Sequence, residues 1–271
     1  MQKFSYHTHT VFSDGANTAD EMLARAAELG WEEIGISDHL IIHKNVKKAE
    51  FYEISKHFVF PEFKSALPVL QRNIETIRKA AKNHPLKVLV GFEVDYFTYN
   101  GWEEEFREIL KQLDVDYVHN GNHYYIPEDN SRLIEITSAG WEIPNSEMLK
   151  EYIIRHFQTI TKAIQSGLFD FIAHLDYARW GGSMGRFDFQ PDRREVIEAL
   201  AQTNTAYELS TKGLYSIYDF YPAHWMIEEL KAKNVPVVIS DDAHFAENLG
   251  RNFIEAEALL SELNYKNRFR L

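Results

Sequence analysis

Short apolar runs alternate with amphipathic stretches along most of the chain. EIGISDH (33–39), KVLVGFEVDY (87–96), VDYVHNGNHYY (115–125), FDFIAHLDY (169–177), AYELST (206–211) and VPVVISDDAH (235–244) read as strands, with Phe4 to His7 as a shorter candidate. The last run is continuously apolar before its polar end, as expected of a strand in a parallel sheet.

The stretches between them carry helical periodicity. Thr18-Ala-Asp-Glu21 has the form of a capping box, and the helix it opens carries Met22, Leu23, Ala26, Ala27 and Leu29 on one stripe before Gly30. Further helices are expected at about Val69 to Lys82, Glu103 to Gln112, Ser146 to Ser166 (closed by Gly167), Pro191 to Gln202, His224 to Lys233 and about Glu247 to Leu263. An irregular, aromatic-rich excursion, roughly residues 41 to 66, interrupts the alternation. Seven strand candidates, each followed by a helix or an excursion, point to a parallel α/β architecture built as one unit over residues 1–271.

The polar residues favour a closed barrel over an open doubly wound sheet. The strand ends deliver, in order, His7 and His9; Asp38 and His39; Glu93; His119 and His123; His174 and Asp176; Glu208; and Asp241, Asp242 and His244. In parallel α/β folds the segments after the strands gather on one face, and in barrels that face carries the active site. Core packing does not account for such a recurrence of His, Asp and Glu at one rim.

Imidazole and carboxylate together suit zinc, iron or manganese. His-x-His on extended chain turns both rings to one side, and Asp242-x-His244 repeats that spacing. A carboxylate such as Glu93 can bridge two ions, and ions held close together activate water and clamp phosphate oxygens. His123 suits a ligand role better than His119, which is read as a supporting residue. His43, His57, His84, His156 and His224 are read as surface or core residues, and Gly15 as the point where the chain turns back toward Thr18.

Composition narrows the picture. The chain has 271 residues, is 45% hydrophobic and has no cysteine, so it has material for a large core but no disulfide, thiolate metal site or cysteine nucleophile. The net charge of −12, with lysines and arginines scattered, argues against a long nucleic acid as partner; an anionic substrate would need local cations. No nucleophile elbow, Walker A loop, H-E-x-x-H or G-x-G-x-x-G is present. No run reaches a membrane span and the opening residues lack a leader pattern, which gives a cytoplasmic protein as the expectation.

HTHT with a following Asp, then SDH, GFEVDY, GNH, AHLDY and SDDAH, in this order over residues 7 to 244, resemble the polymerase and histidinol phosphatase superfamily. ELSTKGL ahead of a Tyr-Pro dipeptide resembles its histidinol-phosphate phosphatase branch. The resemblance implies a distorted seven-stranded, TIM-barrel-like (β/α) fold with three divalent ions (Zn, Fe or Mn) at the C-terminal strand ends, and hydrolysis of a small phosphate monoester such as L-histidinol phosphate. It implies one ion on His7, His9, Glu93 and Asp242, a second on Asp14, His39 and His244, and a third on Glu93, His123 and His174. Asp14 stands where some relatives have histidine, and Tyr215 where the branch usually has a phosphate-holding arginine. Lys212 and Arg179 are then the candidates for holding phosphate, and Asp242 or His244 for the proton step. The competing expectations are a phosphoesterase of nucleotides or short oligonucleotides, and a metal-stabilised interaction domain without activity.

Overall fold

The structure, a computed structural model, describes residues 2–46, 58–125, 133–185 and 187–271. The first half of the chain forms α1 (Ala19–Glu28), β1 (Glu33–Ile36), β2 (His39–Ile42), β3 (Val59–Phe60), α2 (Phe63–Ala81), β4 (Lys87–Val94), α3 (Trp102–Leu110) and β5 (Tyr117–Asn120). A small hairpin follows, β6 (Tyr124–Tyr125) with β7 (Ile134–Glu135), then α4 (Ala139–Glu142), α5 (Ser146–Ser166) and β8 (Phe171–Ile172). The remainder is α6 (Gln190–Thr203), β9 (Ala206–Ser210), α7 (Gly213–Ser216), α8 (His224–Ala232), β10 (Val237–Ser240) and α9 (Phe253–Glu262).

The main sheet runs β10-β9-β8-β5-β4-β2-β3, with parallel pairing at every step, and β1 also pairs with β4. β1 and β2 act as one interrupted strand, because both lie against β4 and only Ser37 and Asp38 separate them. The fold is therefore α/β, as the alternation of runs predicts, and curls into a barrel, as the polar strand ends predict; six of the seven strand positions are the expected ones, and the seventh, β3, falls in the stretch expected to be irregular.

Continuous pairing does not close that barrel. The expected strand at Phe4 to His7 is not a ladder strand; segment 5–9 is a wedge between the first and last strands. Gly35 N–H donates to Ser5 O and Ser37 N–H to Thr8 O on one side, and His9 N–H donates to Ala243 O on the other. Dividing its backbone groups between two neighbours leaves an isolated bridge, Thr8 with Ala243, in place of a ladder.

Two helix boundaries also move. α2 begins six residues before Val69 and carries Pro68 inside it. Phe63, Ala66, Leu70, Ile74 and Ile77 form one buried stripe, and Phe63 packs on Trp102 and Phe106, which outweighs the hydrogen bond that proline removes. The last helix begins at Phe253, after a separate turn at Ala246–Asn248 and a left-handed Asn252. The capping box at Thr18 and Glu21 is formed, Gly167 closes α5 in the left-handed region, and Pro191 sits in the first turn of α6. Of the excursion at 41–66, residues 41–46 and 58–66 belong to β2, β3, the start of α2 and the segments beside them, and 47–57 lie outside the described residues.

Side chains inside the barrel follow the period of two. Leu89, Tyr117, Phe171, Ala206 and Val238 fill the lower end together with Tyr6. Two residues further on come Gly91, His119, Glu208 and Ser240, and two further again Glu93, Gly121 and Asp242. The interior thus passes from an apolar plug to a polar, charged layer at the C-terminal ends of the strands. Among the described residues no helix is long and apolar enough to cross a membrane.

Candidate metal centre

Glu93 stands at the middle of the charged layer, in register with His119 on β5 and His39 on β2. Its Oε2 lies 3.2 Å from His7 Nε2, 3.5 Å from His9 Nε2 and 2.8 Å from His39 Nδ1; its Oε1 lies 2.8 Å from His174 Nε2 and 3.7 Å from His123 Nε2. Asp242 Oδ1 lies 3.6 Å from His7 Nε2 and 3.3 Å from His9 Nε2, and His244 joins Asp242 to Asp14. Asp14 also meets His39 Nε2 at 3.4 Å. All nine residues read from the sequence as metal ligands therefore lie in one connected cluster at the expected rim.

The chemistry of four atoms tests whether this cluster suits a cation. His7 Nε2, His9 Nε2, Glu93 Oε2 and Asp242 Oδ1 are buried, and none has a hydrogen-bond partner. Leaving one such group unsatisfied costs about 1–3 kcal/mol, more when it is charged. Their four cross distances run from 3.2 to 3.6 Å. Ligand atoms at about 2.1 Å from a tetrahedral ion stand about 3.4 Å apart, which these four histidine-to-carboxylate distances match; His7 also groups with His174 and Asp242, and with Glu93 and His119, at ligand-atom spacings within 4.8 Å. Asp14, His39, His244 and His9 form a second group with ligand atoms within 4.8 Å of one another, and His39, Glu93 and His123 another.

Local contacts fix which ring nitrogen faces inward. His7 Nδ1 donates to Glu208 Oε2 at 2.6 Å, His123 Nδ1 to Asp95 Oδ1 at 3.1 Å and His244 Nδ1 to the carbonyl of Asp242 at 3.0 Å. Burial works against charge on His7 and His123, but Glu93 and the other carboxylates beside them hold both above the ordinary value; with the Nδ1 proton fixed, it is the Nε2 position that would give up its proton to hold an ion. Burial opposes charge on Glu93 and Asp242, but the surrounding imidazoles, and Lys212 beside Asp242, hold both carboxyls well below their usual range. Burial, helped by the nearby His244 and His39, lowers His9 well below the ordinary value, so it stays a neutral donor.

The backbone bends to make the site. His174 and Asp242 have φ of +24° and +47°, in a region that costs a non-glycine residue of order 1–3 kcal/mol. Gly121 is required for another reason: a Cβ there would stand 1.8 Å from Glu93 Oε1. Gly15 likewise serves close approach, since its Cβ would lie 2.6 Å from the carbonyl carbon of His9.

Several contributors had no assigned role in the sequence. Asp38, open to reading as a turn cap, accepts from Thr10 N–H and Ser13 Oγ, each at 2.7 Å, and from Asn73 Nδ2 at 3.3 Å, tying the histidine-bearing loop to α2. Asp95, two residues after Glu93 and on the same side by strand alternation, is the signal that could have found the His123 partner. His119 lies one layer below the rim, stacked on Phe171 at 4.5 Å, with its ring 4.4 Å from that of His7. Burial pushes its imidazole well down, and it is neutral. Of the other histidines, His84 pairs with Asp20 at 2.9 Å and His224 with Glu228 at 3.6 Å, His43 and His156 are buried, and His57 lies outside the described residues.

A cavity of about 220 Å³ opens over the cluster, lined on its floor by Asp14, His39, His123 and His244. Lys212 also lines it, with Nζ 2.7 Å from Asp242 Oδ2. Burial works against its ammonium, but Asp242 outweighs this and holds the lysine well above its ordinary value. Arg179 is placed differently. Its Nη1 donates to Asp219 Oδ2 at 2.8 Å and its Nη2 to Phe220 O at 2.7 Å, and it does not line the cavity. Tyr215 is partly exposed, with the Arg251 guanidinium 4.3 Å over its ring.

A parallel barrel with a histidine and carboxylate cluster at its C-terminal rim defines a metal-binding α/β protein. The PHP domain model matches residues 5–212, and the chain belongs to that family. Among its relatives, one from Deinococcus radiodurans, named "Probable histidinol-phosphatase", is 24% identical over 261 residues, covering 92% of this chain and 89% of that one. Another of the same name from Clostridium acetobutylicum is 24% identical over 279 residues, covering 98% and 96%. In fold the chain is similar to histidinol phosphate phosphatase from Lactococcus lactis subsp. lactis, solved with zinc, L-histidinol and phosphate, with a TM-score of 0.67 and 18% identity over 99% of this chain and 95% of that one.

Proposed function

We propose that this protein is a metal-dependent phosphomonoesterase whose substrate is L-histidinol phosphate, which it cleaves to L-histidinol and phosphate in histidine biosynthesis. The observation that carries the reading is the set of four buried ligand atoms without hydrogen bonds on His7, His9, Glu93 and Asp242 under a small cavity. The names of the relatives supply the substrate. The ligands divide into three sets, as the family resemblance implies: His7, His9, Glu93 and Asp242; Asp14, His39 and His244; and Glu93, His123 and His174. Divalent ions bound there supply positive charge against the phosphate oxygens and lower the pKa of water at the site.

The protein's own residues do the rest. Lys212 presents a fixed ammonium to the phosphate from the cavity wall, while its pairing with Asp242 Oδ2 keeps Oδ1 turned to the ligand nest. Asp242 and His244 are the candidates for moving a proton to the leaving oxygen. Lys212 and the surrounding imidazoles hold Asp242 ionised, so its carboxylate is placed to accept a proton from water at the site, and the ammonium at its Oδ2 is the neighbouring group that carries one. Arg179 assists only if it leaves Asp219, so Lys212 carries the larger share of phosphate binding. The cavity volume fits a small monoester and leaves little room for a polynucleotide.

Release of inorganic phosphate from L-histidinol phosphate, a nucleoside monophosphate and a dinucleotide, after loading with Zn or Mn, tests the reading. A kcat/KM for histidinol phosphate well above the others is expected. Preference for the nucleotides would favour the nucleotide phosphoesterase, and no turnover of any of them by loaded protein the inactive interaction domain.

A further inference from the structure

The metal cluster and Lys212 account for the anionic end of a substrate, but not for a second carboxylate in the cavity lining. Glu135 lines the same cavity, with Tyr124 and Tyr177 beside it. It sits on β7 directly across the hairpin from Tyr124. Its Oε1 accepts from Thr137 Oγ1 at 2.6 Å, and no lysine, arginine or histidine pairs with it among the described residues. Glu135 is one of the acidic residues that give the chain its net charge of −12, and a negative charge inside a phosphate pocket weakens the binding of any purely anionic ligand. It strengthens binding only if the alcohol portion of the ligand is cationic. Two phenol rings next to the carboxylate add faces that attract the same charge.

We propose that Glu135 is a specificity-determining residue that receives the ammonium of the substrate, so that the pocket selects zwitterionic amino-alcohol phosphates over monoesters whose alcohol portion is uncharged or anionic. This inference rests on the phosphomonoesterase reading and adds the substrate class to it. L-Histidinol phosphate meets the requirement, since the carbon next to its phosphate-bearing carbon holds a primary amine. Glu135 touches the part of the substrate that does not react, so it acts on binding and discrimination and leaves the cleavage step to the rim cluster.

The test compares the metal-loaded protein with its Glu135→Gln variant on L-histidinol phosphate and on the des-amino counterpart, 3-(imidazol-4-yl)propyl phosphate. Loss of a charge-assisted contact should lower kcat/KM for the amine-bearing ester about 10- to 100-fold, mostly through KM. The des-amino ester should be hydrolysed as well as before or better. Thr137→Val, which removes the hairpin hydrogen bond but keeps the carboxylate, should leave the ratio between the two esters unchanged. An equal loss on both esters would make Glu135 a structural residue and overturn the inference, as would no loss on either. Wild type that cleaves both esters equally well overturns it while the phosphomonoesterase reading stands; wild type that cleaves neither, nor any other monoester, removes both.

Discussion

Glu208 Oε2 lies 2.6 Å from His7 Nδ1, in a layer of the barrel where both side chains are fully buried. The carboxylate holds the proton on Nδ1 and thereby aims Nε2 at Glu93 and Asp242. Glu208→Gln keeps an acceptor but removes the charge that makes the imidazole a stronger donor. Metal affinity should fall about 10- to 100-fold with the fold intact. Titration with a competing chelator measures this, and unchanged affinity would mean that Glu208 does not orient His7.

Gly121 leaves the space that the Glu93 carboxylate occupies. Gly121→Ala should displace that carboxylate, reduce bound metal and abolish most activity, at a stability cost of about 1–3 kcal/mol from overpacking. Metal analysis together with thermal unfolding checks it. A variant that binds the wild-type amount of metal would show that Glu93 does not need its present position.

Much of this site was legible because strand alternation repeats every two residues. His7 with His9 and Asp242 with His244 declare themselves by spacing, and Glu93 by its place at the end of an apolar strand. What was not legible depends on elements far apart in sequence. Asp38 reads as a turn residue until Asn73 of α2 and the loop at Thr10 are seen to converge on it. Glu208 has no local signal for its partner, 201 residues away. Arg179 is a phosphate-holding candidate through the family resemblance, and its partner Asp219, 40 residues on, has no signal in the sequence. Phe4 to His7 has a strand pattern but sits between two strands that diverge, which only the closed arrangement reveals.

Lys212 is the cation whose ammonium faces both Asp242 and the cavity. Lys212→Met should retain bound metal and lower kcat/KM for phosphate monoesters about 100- to 1,000-fold. Arginine should rescue only partly, because a planar guanidinium does not reproduce a point charge at Nζ. Full activity in the methionine variant would remove Lys212 from the site chemistry.

His156, buried in α5 with neither ring nitrogen hydrogen-bonded, has its pKa lowered from 6.5 to about 3 by burial, with His174 and His123 adding to the effect. The folded chain keeps this imidazole neutral while the unfolded chain protonates it. Its contribution to stability is therefore complete above pH 6.5 and lost as pH falls from there toward 3. Between pH 7 and pH 5 the loss amounts to roughly 2 kcal/mol. Urea unfolding of wild type and His156→Leu over that range should show the gap moving in favour of the variant by about this amount as pH falls. Parallel curves would contradict the buried, neutral state of His156.

The central claim is that the rim cluster is a metal centre that cleaves a phosphate monoester. Its most direct test is the rate of phosphate release from L-histidinol phosphate by chelator-stripped protein before and after adding Zn or Mn, with Glu93→Gln as the companion. Stripped protein should be nearly inactive, metal should restore the rate at least about 100-fold, and the variant should remain inactive at the same metal concentration. Equal rates with and without metal, or a fully active Glu93→Gln, would contradict the account.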